Sequence, residues 1–155
     1  MSSRKANAKA NKIISFNVKE VARIVGASRR RLDYWNKTGL LIPSLKGISD
    51  KGSPALYYSV QDIIDLKIIL RLRQSSIPLQ RIRAGFRFIK EQQQTLASSI
   101  ILSDGKTLYL YQDEDLLVDI LKKGQMVSRV SVQDLIDEVQ EKVRKLENSK
   151  NGRKA

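Results

Sequence analysis

The sequence contains no cysteine and no histidine, and each absence removes a class of chemistry. Without cysteine there are no disulfides, thiolate metal sites or cysteine nucleophiles. Without histidine there are no imidazole ligands and no histidine acid–base catalysis. Hydrolysis or redox chemistry would depend on carboxylate, lysine, tyrosine or serine side chains alone. The sequence therefore predicts a protein that is not an enzyme and carries no metal or other cofactor.

Long apolar runs are also missing. The richest one is interrupted by Asp62, Asp65 and Lys67, so no stretch has the length of a membrane span. Residues 1–12 are polar and basic and lack the apolar segment of a secretory signal. With 41% hydrophobic residues among 155, the chain is expected to form one domain, or one compact domain with a small appendage.

Positive charge is abundant and unevenly placed. The net charge is +13, of which residues 1–12 carry +4 and residues 13–94, with 15 basic and 6 acidic side chains, carry +9. Residues 95–155 have ten of each sign. A generally solubilising surface does not explain this division, whereas a polyanionic partner does. Nucleic acid is favoured over a membrane surface, and we expect a cytoplasmic, nucleoid-associated protein.

Two short helices joined by a tight turn are predicted near the N-terminus. Asn17 and Glu20 have the spacing of a capping box, and apolar residues then recur at helical intervals until Gly26. Ser28 can cap a second helix, which ends at Gly39. This arrangement is typical of a helix-turn-helix.

A winged extension is predicted next. Residues 40–42 and 55–59 are expected to form two strands, and the loop between them carries Lys46 and Lys51. A third, largely buried helix begins at Ser59 or the residue after it and breaks at residues 75 and 76. A fourth helix opens at Pro78.

The second half of the chain has a different pattern. Residues 99–103 and 107–111 flank an Asp-Gly-Lys turn and predict a hairpin, which a strand at 116–121 would extend into a small meander before a loop at 122–130. Residues 132–146 predict a helix with one apolar stripe. The stripe is expected to pair with a second copy or, nearly as readily, to cover the meander of its own chain.

These patterns together predict an α+β protein in four parts. The parts are a disordered basic arm (1–12), a winged helix-turn-helix (13–94), a hairpin or meander with a C-terminal helix for dimerisation or partner binding (95–147), and a disordered tail (148–155).

Four segments carry a family resemblance. They are NVKEVA at 17–22, RRLDYWNKTGLL at 30–41, YSVQD at 58–62 and IPLQRI at 77–82. In order and spacing, residues 15–90 resemble the MerR family of bacterial transcription regulators. The resemblance implies DNA binding, dimers, transcription regulation, and operators with a distorted, underwound centre.

The chain also departs from that family. Members usually have arginine where Asp33 stands and a basic residue in place of Leu56. A hairpin follows the fourth helix, where the family has a long antiparallel dimerisation helix. Metal-sensing members use cysteine, which is absent here. The resemblance therefore does not identify an effector or a dimer contact.

The second helix is predicted to read DNA. At 100° per residue, Leu32 and Trp35 lie on one side and are expected to be core, while Arg30, Tyr34 and Lys37 lie on the other. The polar side would enter the major groove, where arginine can bridge guanine O6 and N7. Flanking phosphate contacts are expected from Arg29 and Arg31.

The wing and the fourth helix could add contacts with the DNA backbone. Lys46, Lys51 and Tyr57 would let the wing grip the backbone or the minor groove. For the three arginines of the fourth helix, a phosphate contact and a solvated surface position remain equally open. These are Arg81, Arg83 and Arg87.

The predicted function is sequence-specific binding of double-stranded DNA by a dimer on a pseudo-palindromic operator. An architectural or accessory role, in chromosome anchoring, partition or excision, would use the same surface. RNA binding through Tyr109 and Tyr111 is a weaker alternative, because that half has no net charge. An acidic cluster that could hold a catalytic cation is weaker still: Asp113, Glu114, Asp115 and Asp119. A protein partner of the C-terminal part also stays open.

Overall fold

The computed structural model describes residues 14–91, 100–103, 108–111, 128–129 and 131–153. In chain order the elements are α1 (Val18–Val25), α2 (Arg29–Lys37), β1 (Leu45–Ile48), β2 (Pro54–Tyr57), α3 (Val60–Gln74), α4 (Leu79–Glu91), β3 (Ile100–Ser103), β4 (Leu108–Tyr111), β5 (Ser128–Arg129) and α5 (Val132–Arg153). The chain is α+β, as predicted, with helices, a wing-like hairpin, a small sheet and a C-terminal helix.

The predicted helix starts are confirmed by their caps. Asn17 Oδ1 accepts from Glu20 N at 2.9 Å, and Glu20 Oε1 accepts from Asn17 N at 3.1 Å, so α1 begins with a reciprocal capping box. Ser59 and Asp62 form the equivalent box at α3. Each box satisfies two of the backbone donors that a helix leaves free at its first turn.

The first wing strand lies later than predicted. Leu40 and Leu41 do not form a strand; they are buried in the core after α2, and β1 begins at Leu45. The strands pair antiparallel from Leu45–Tyr57 to Ile48–Pro54. The apolar run therefore serves core packing, and a period-two pattern starts only beyond it.

A buried carboxylate holds the base of the wing. Asp62 Oδ2 accepts from Ser44 N at 2.9 Å, Ser44 Oγ at 2.7 Å and Ser59 N at 2.9 Å. Ser44 precedes β1 and Ser59 follows β2, so a single side chain on α3 fixes both ends of the hairpin. Beside it, Phe16 and Tyr58 exchange two backbone hydrogen bonds, of 2.9 and 2.8 Å. The orientation of the wing is thus set by the helical core.

The second sheet has an unexpected order. The predicted hairpin is confirmed as β3 and β4, paired from Ile100–Tyr111 to Ser103–Leu108. The third strand is Ser128–Arg129, which the sequence placed in a loop, and it pairs with β3. Among the described strands the order is β4-β3-β5, so β3 lies between the other two. The predicted strand at 116–121 lies outside the described residues.

The C-terminal helix packs against the first and third helices of its own chain. Its apolar stripe belongs to the same core as α1 and α3: Val132, Leu135, Val139 and Val143. The prediction that this stripe pairs with a second copy is therefore wrong, because its own chain buries it. Among the described elements, the main packing partners of this helix are α1 and α3.

Polar contacts also hold the same helix against α1. The helix ends at Arg153, beyond the predicted end at residue 146. Lys142 Nζ donates to the Ile24 carbonyl at 3.3 Å and to Glu138 Oε1 at 3.1 Å. Further along, Lys150 forms an ion pair with Glu20 and lies over the ring of Phe16 at 5.7 Å. Residues 148–150, assigned to a tail by the sequence, are therefore helical and in contact with α1.

A pH-dependent stability is expected from Asp65. Burial raises the pKa of this carboxyl from 3.8 to about 6, and the negative charge of Asp62 adds to the rise. A hydrogen bond from Gln61 and the positive charge of Lys90 lower the pKa and oppose part of this shift. The folded state binds the Asp65 proton more tightly than the unfolded state does. The stabilisation that this proton contributes is therefore fully present below pH 3.8 and is lost as the pH rises through about 6. Asp65→Asn should remove this loss and raise the free energy of unfolding at pH 7.5 by at most about 3 kcal/mol.

Urea unfolding of both proteins at pH 4 and pH 7.5 measures this effect. The gain should disappear at pH 4, whereas Asp50→Asn on the exposed wing turn should change neither value. A gain of equal size at both pH values would contradict the assignment to Asp65 ionisation.

Candidate nucleic-acid interface

A tight turn presents α2 at the surface. Gly26 adopts φ 75°, in the left-handed region where glycine is favoured, and its N–H donates to the Ala22 carbonyl at 3.0 Å. Ser28 Oγ then accepts from Arg31 N at 3.1 Å and caps α2. Leu32 and Trp35 are 1% and 2% exposed, which confirms their predicted place in the core. These contacts fix which face of α2 points outward.

The outward face of α2 is polar and basic. Arg30, Tyr34 and Lys37 follow at intervals of four and three residues, and all are exposed, as is Arg29 at the start of the helix. Tyr34 is 56% exposed although it is aromatic. The geometry thus brings together on one helix the residues that the sequence selected for base and phosphate contacts.

Arg31 has a different environment from its neighbours. Its guanidinium lies over the ring of Trp35, 4.8 Å from the centroid, in a cation–π contact. The side chain lines a cavity on the α3 side of the helix. Arg31 is nevertheless exposed, so the predicted flanking phosphate contact concerns a side chain at the edge of the outward face, between Tyr34 and Trp35.

The wing carries its two lysines at different places. Lys46 lies on β1, rather than in the loop, on the exposed face shared with Ile48 and Leu56. Lys51 is exposed in the turn between the strands. Tyr57 lies on the other face and donates its hydroxyl proton to the Ile48 carbonyl at 3.1 Å. A phosphate contact by Tyr57 would have to break that hydrogen bond.

A groove of about 420 Å³ separates α2 from the wing. Asp33 and Asn36 line one side, and Leu56 and Tyr57 line the other. Buried Tyr58 closes the groove, and its pKa is raised to about 12 by burial and by the charges of Asp33 and Asp62. The two positions at which this chain departs from the MerR pattern, Asp33 and Leu56, thus line the same groove. An acid and an apolar side chain make it a poor site for phosphate.

The arginines of α4 have separate environments. Arg83 donates to the Thr38 carbonyl at 3.0 Å and to Thr38 Oγ1 at 2.6 Å. It therefore ties α4 to the end of α2, a positioning role that the sequence did not indicate. Arg81 and Arg87 are exposed, so a phosphate contact and a solvated surface position both stay open for them.

The rival sites are only partly covered by the described residues. Within ranges 14–91 and 131–153, no three acidic side chains gather in a way that could hold a metal ion. No helix among the described elements is long and apolar enough to cross a membrane. The acidic run at 113–119 lies outside the described ranges. Tyr109 and Tyr111 lie on β4 as predicted.

Comparisons with known proteins identify a family and several relatives. Residues 16–88 match the family model described as MerR HTH family regulatory protein. Two uncharacterised HTH-type transcriptional regulators, from Mycobacterium tuberculosis and Mycobacterium bovis, are each 33% identical over 130 residues, which is 83% of this chain. The chain spans 57% of the length of these relatives.

Among solved structures, the HTH-type transcriptional regulator SkgA from Caulobacter crescentus is similar to this chain. It has 27% sequence identity and a TM-score of 0.40, with 72% of this chain and 76% of that chain covered.

Proposed function

The N-terminal half of the chain, residues 16–88, belongs to the MerR family of helix-turn-helix regulatory proteins, and from this membership we propose that the protein regulates transcription by binding duplex DNA at specific sequences. It acts as a dimer on a pseudo-palindromic operator, in the cytoplasm. Twofold symmetry doubles the number of contacts that one small reading surface can make.

The observation that carries this proposal is the outward face of α2. Arg29, Arg30, Tyr34 and Lys37 are exposed on a helix whose other side is locked into the core. Such a helix fits the major groove of B-DNA, where arginine and lysine can recognise guanine. Because Lys46 and Lys51 extend the positive charge onto the wing, the neighbouring phosphates are within the reach of the same domain.

Because the apolar stripe of α5 is buried in its own chain, we expect the dimer contact to lie on another surface. Selection of preferred sites from a random duplex pool, with the full chain, tests both parts of the proposal. Enrichment of a pseudo-palindrome that binds two chains by light scattering supports it. A pool without sequence enrichment overturns specific regulation and favours the architectural role.

Arg30→Ala and Lys51→Ala should differ in kind. If Arg30 contacts a base, its loss costs about 1–3 kcal/mol on the selected site and relaxes the preference at one base position. Loss of Lys51, a wing phosphate contact, should weaken selected and random duplexes alike. Fluorescence anisotropy with both duplexes measures the difference. Equal changes in sequence preference for the two variants would contradict these roles.

A further inference from the structure

A half-open cavity of about 440 Å³ lies where α2, α3 and α5 meet. Gly26 and Arg31 line it from the turn and from α2, and Leu135 and Glu138 line it from α5. Its volume is in the range of small-molecule sites. The cavity is distinct from the outward face of α2 and from the groove beside the wing.

The lining of this cavity is strongly cationic. Four basic side chains line it: Arg31, Lys67, Arg71 and Arg73. Among the described lining residues the single acid is Glu138, which already accepts from Lys67 and from Lys142, each at 3.1 Å. These two lysines hold the pKa of Glu138 below its usual range, so it stays ionised and paired. The three arginines are left without an acid of their own among the described lining residues.

We propose that this cavity binds a phosphate group. Guanidinium groups recognise phosphate through paired hydrogen bonds, and a cationic cleft with protein walls concentrates anions. Arg73 donates one hydrogen bond to the Ile77 carbonyl at 3.0 Å, and its other donors have no acceptor among the described residues. The phosphate belongs either to the backbone of bound DNA or to a free phosphorylated small molecule.

The location gives the site a way to act on DNA recognition, a step that rests on the proposed function. Arg31 belongs to α2 and stacks on Trp35, while Leu135 and Glu138 belong to α5. A phosphate that draws the Arg31 guanidinium toward the cavity changes the contact with Trp35. The Arg31–Trp35 contact on α2 therefore changes when a phosphate occupies the cavity.

Trp35 is the one tryptophan of the chain and reports directly on this contact. The full chain is titrated with pyrophosphate at constant ionic strength, without DNA, and tryptophan fluorescence and the melting temperature are followed. We expect a saturable fluorescence change and a rise in melting temperature. Arg71→Gln should weaken the apparent affinity about tenfold. Arg23→Gln, on the exposed side of α1, is the matched control and should leave it unchanged.

A repeat with the selected duplex present distinguishes the two sources. Competition between pyrophosphate and duplex assigns the cavity to the DNA backbone, and simultaneous binding assigns it to a free ligand. The proposal is overturned if neither signal saturates, or if Arg71→Gln and Arg23→Gln bind pyrophosphate equally. Because the first titration contains no DNA, its failure is separate from a failure of DNA binding.

Discussion

Replacing Val139 with aspartate should abolish cooperative folding of the chain and, with it, tight binding to duplex DNA. Val139 is 0% exposed and lies in the core that α5 shares with α1 and α3. An uncompensated buried charge costs roughly 3–5 kcal/mol, which is comparable with the whole stability of a small domain. Circular dichroism during urea unfolding, followed by DNA titration of the same sample, measures both losses.

Gln140→Asp provides the control, since Gln140 is the next residue of the same helix and is exposed. It adds the same charge and should change the free energy of unfolding by less than about 0.5 kcal/mol. A folded Val139→Asp chain that had merely lost its dimeric state would show that the stripe is a contact between copies. That result would contradict the intramolecular packing of α5.

The affinity of the full chain for its selected duplex should fall about a thousandfold or more between 50 and 200 mM salt. Residues 13–94 carry a net charge of +9, and the outward face of α2 and the wing present exposed cations. Contacts with about six to ten phosphates would release enough counterions to produce that loss. Anisotropy titrations of a labelled duplex over this salt range give the slope.

Lys51→Ala should reduce the slope of log affinity against log salt by about one, as expected for one phosphate contact. Asp50→Asn, the neighbouring residue, retains Lys51 and should not reduce the slope. An affinity that hardly depends on salt would contradict the electrostatic part of the proposed function.

Local signals in the sequence predicted most of the helical domain. The capping box at Asn17, the turn at Gly26 and the helix start near Ser59 depend on residues within a few positions, so they can be predicted from the sequence. The polar face of α2 follows in the same way from helical spacing, once Leu32 and Trp35 are recognised as core. The start of β1 was misplaced because an apolar run satisfies either a strand or a core segment.

Contacts between distant residues could not be predicted in this way. Lys142 lies within the apolar stripe of α5, and its ammonium group donates to the Ile24 carbonyl, 118 residues earlier, a partner that no local pattern indicates. The place of Arg31 depends on α3 and α5, although its spacing from Arg30 indicated a phosphate contact. The pairing of β5 with β3 likewise depends on where the chain returns, not on local composition.

The return of α5 onto α1 and α3 has a consequence for synthesis on the ribosome. Forty residues separate the end of α4 at Glu91 from the start of α5 at Val132. With the 22 residues of α5 itself, at about 5–20 residues per second, α1 and α3 wait roughly 3–12 s after emergence of α4 before their covering helix is complete. During that interval the apolar surfaces that α5 will bury are open to solvent. The nascent chain should therefore recruit chaperones until α5 has left the exit tunnel.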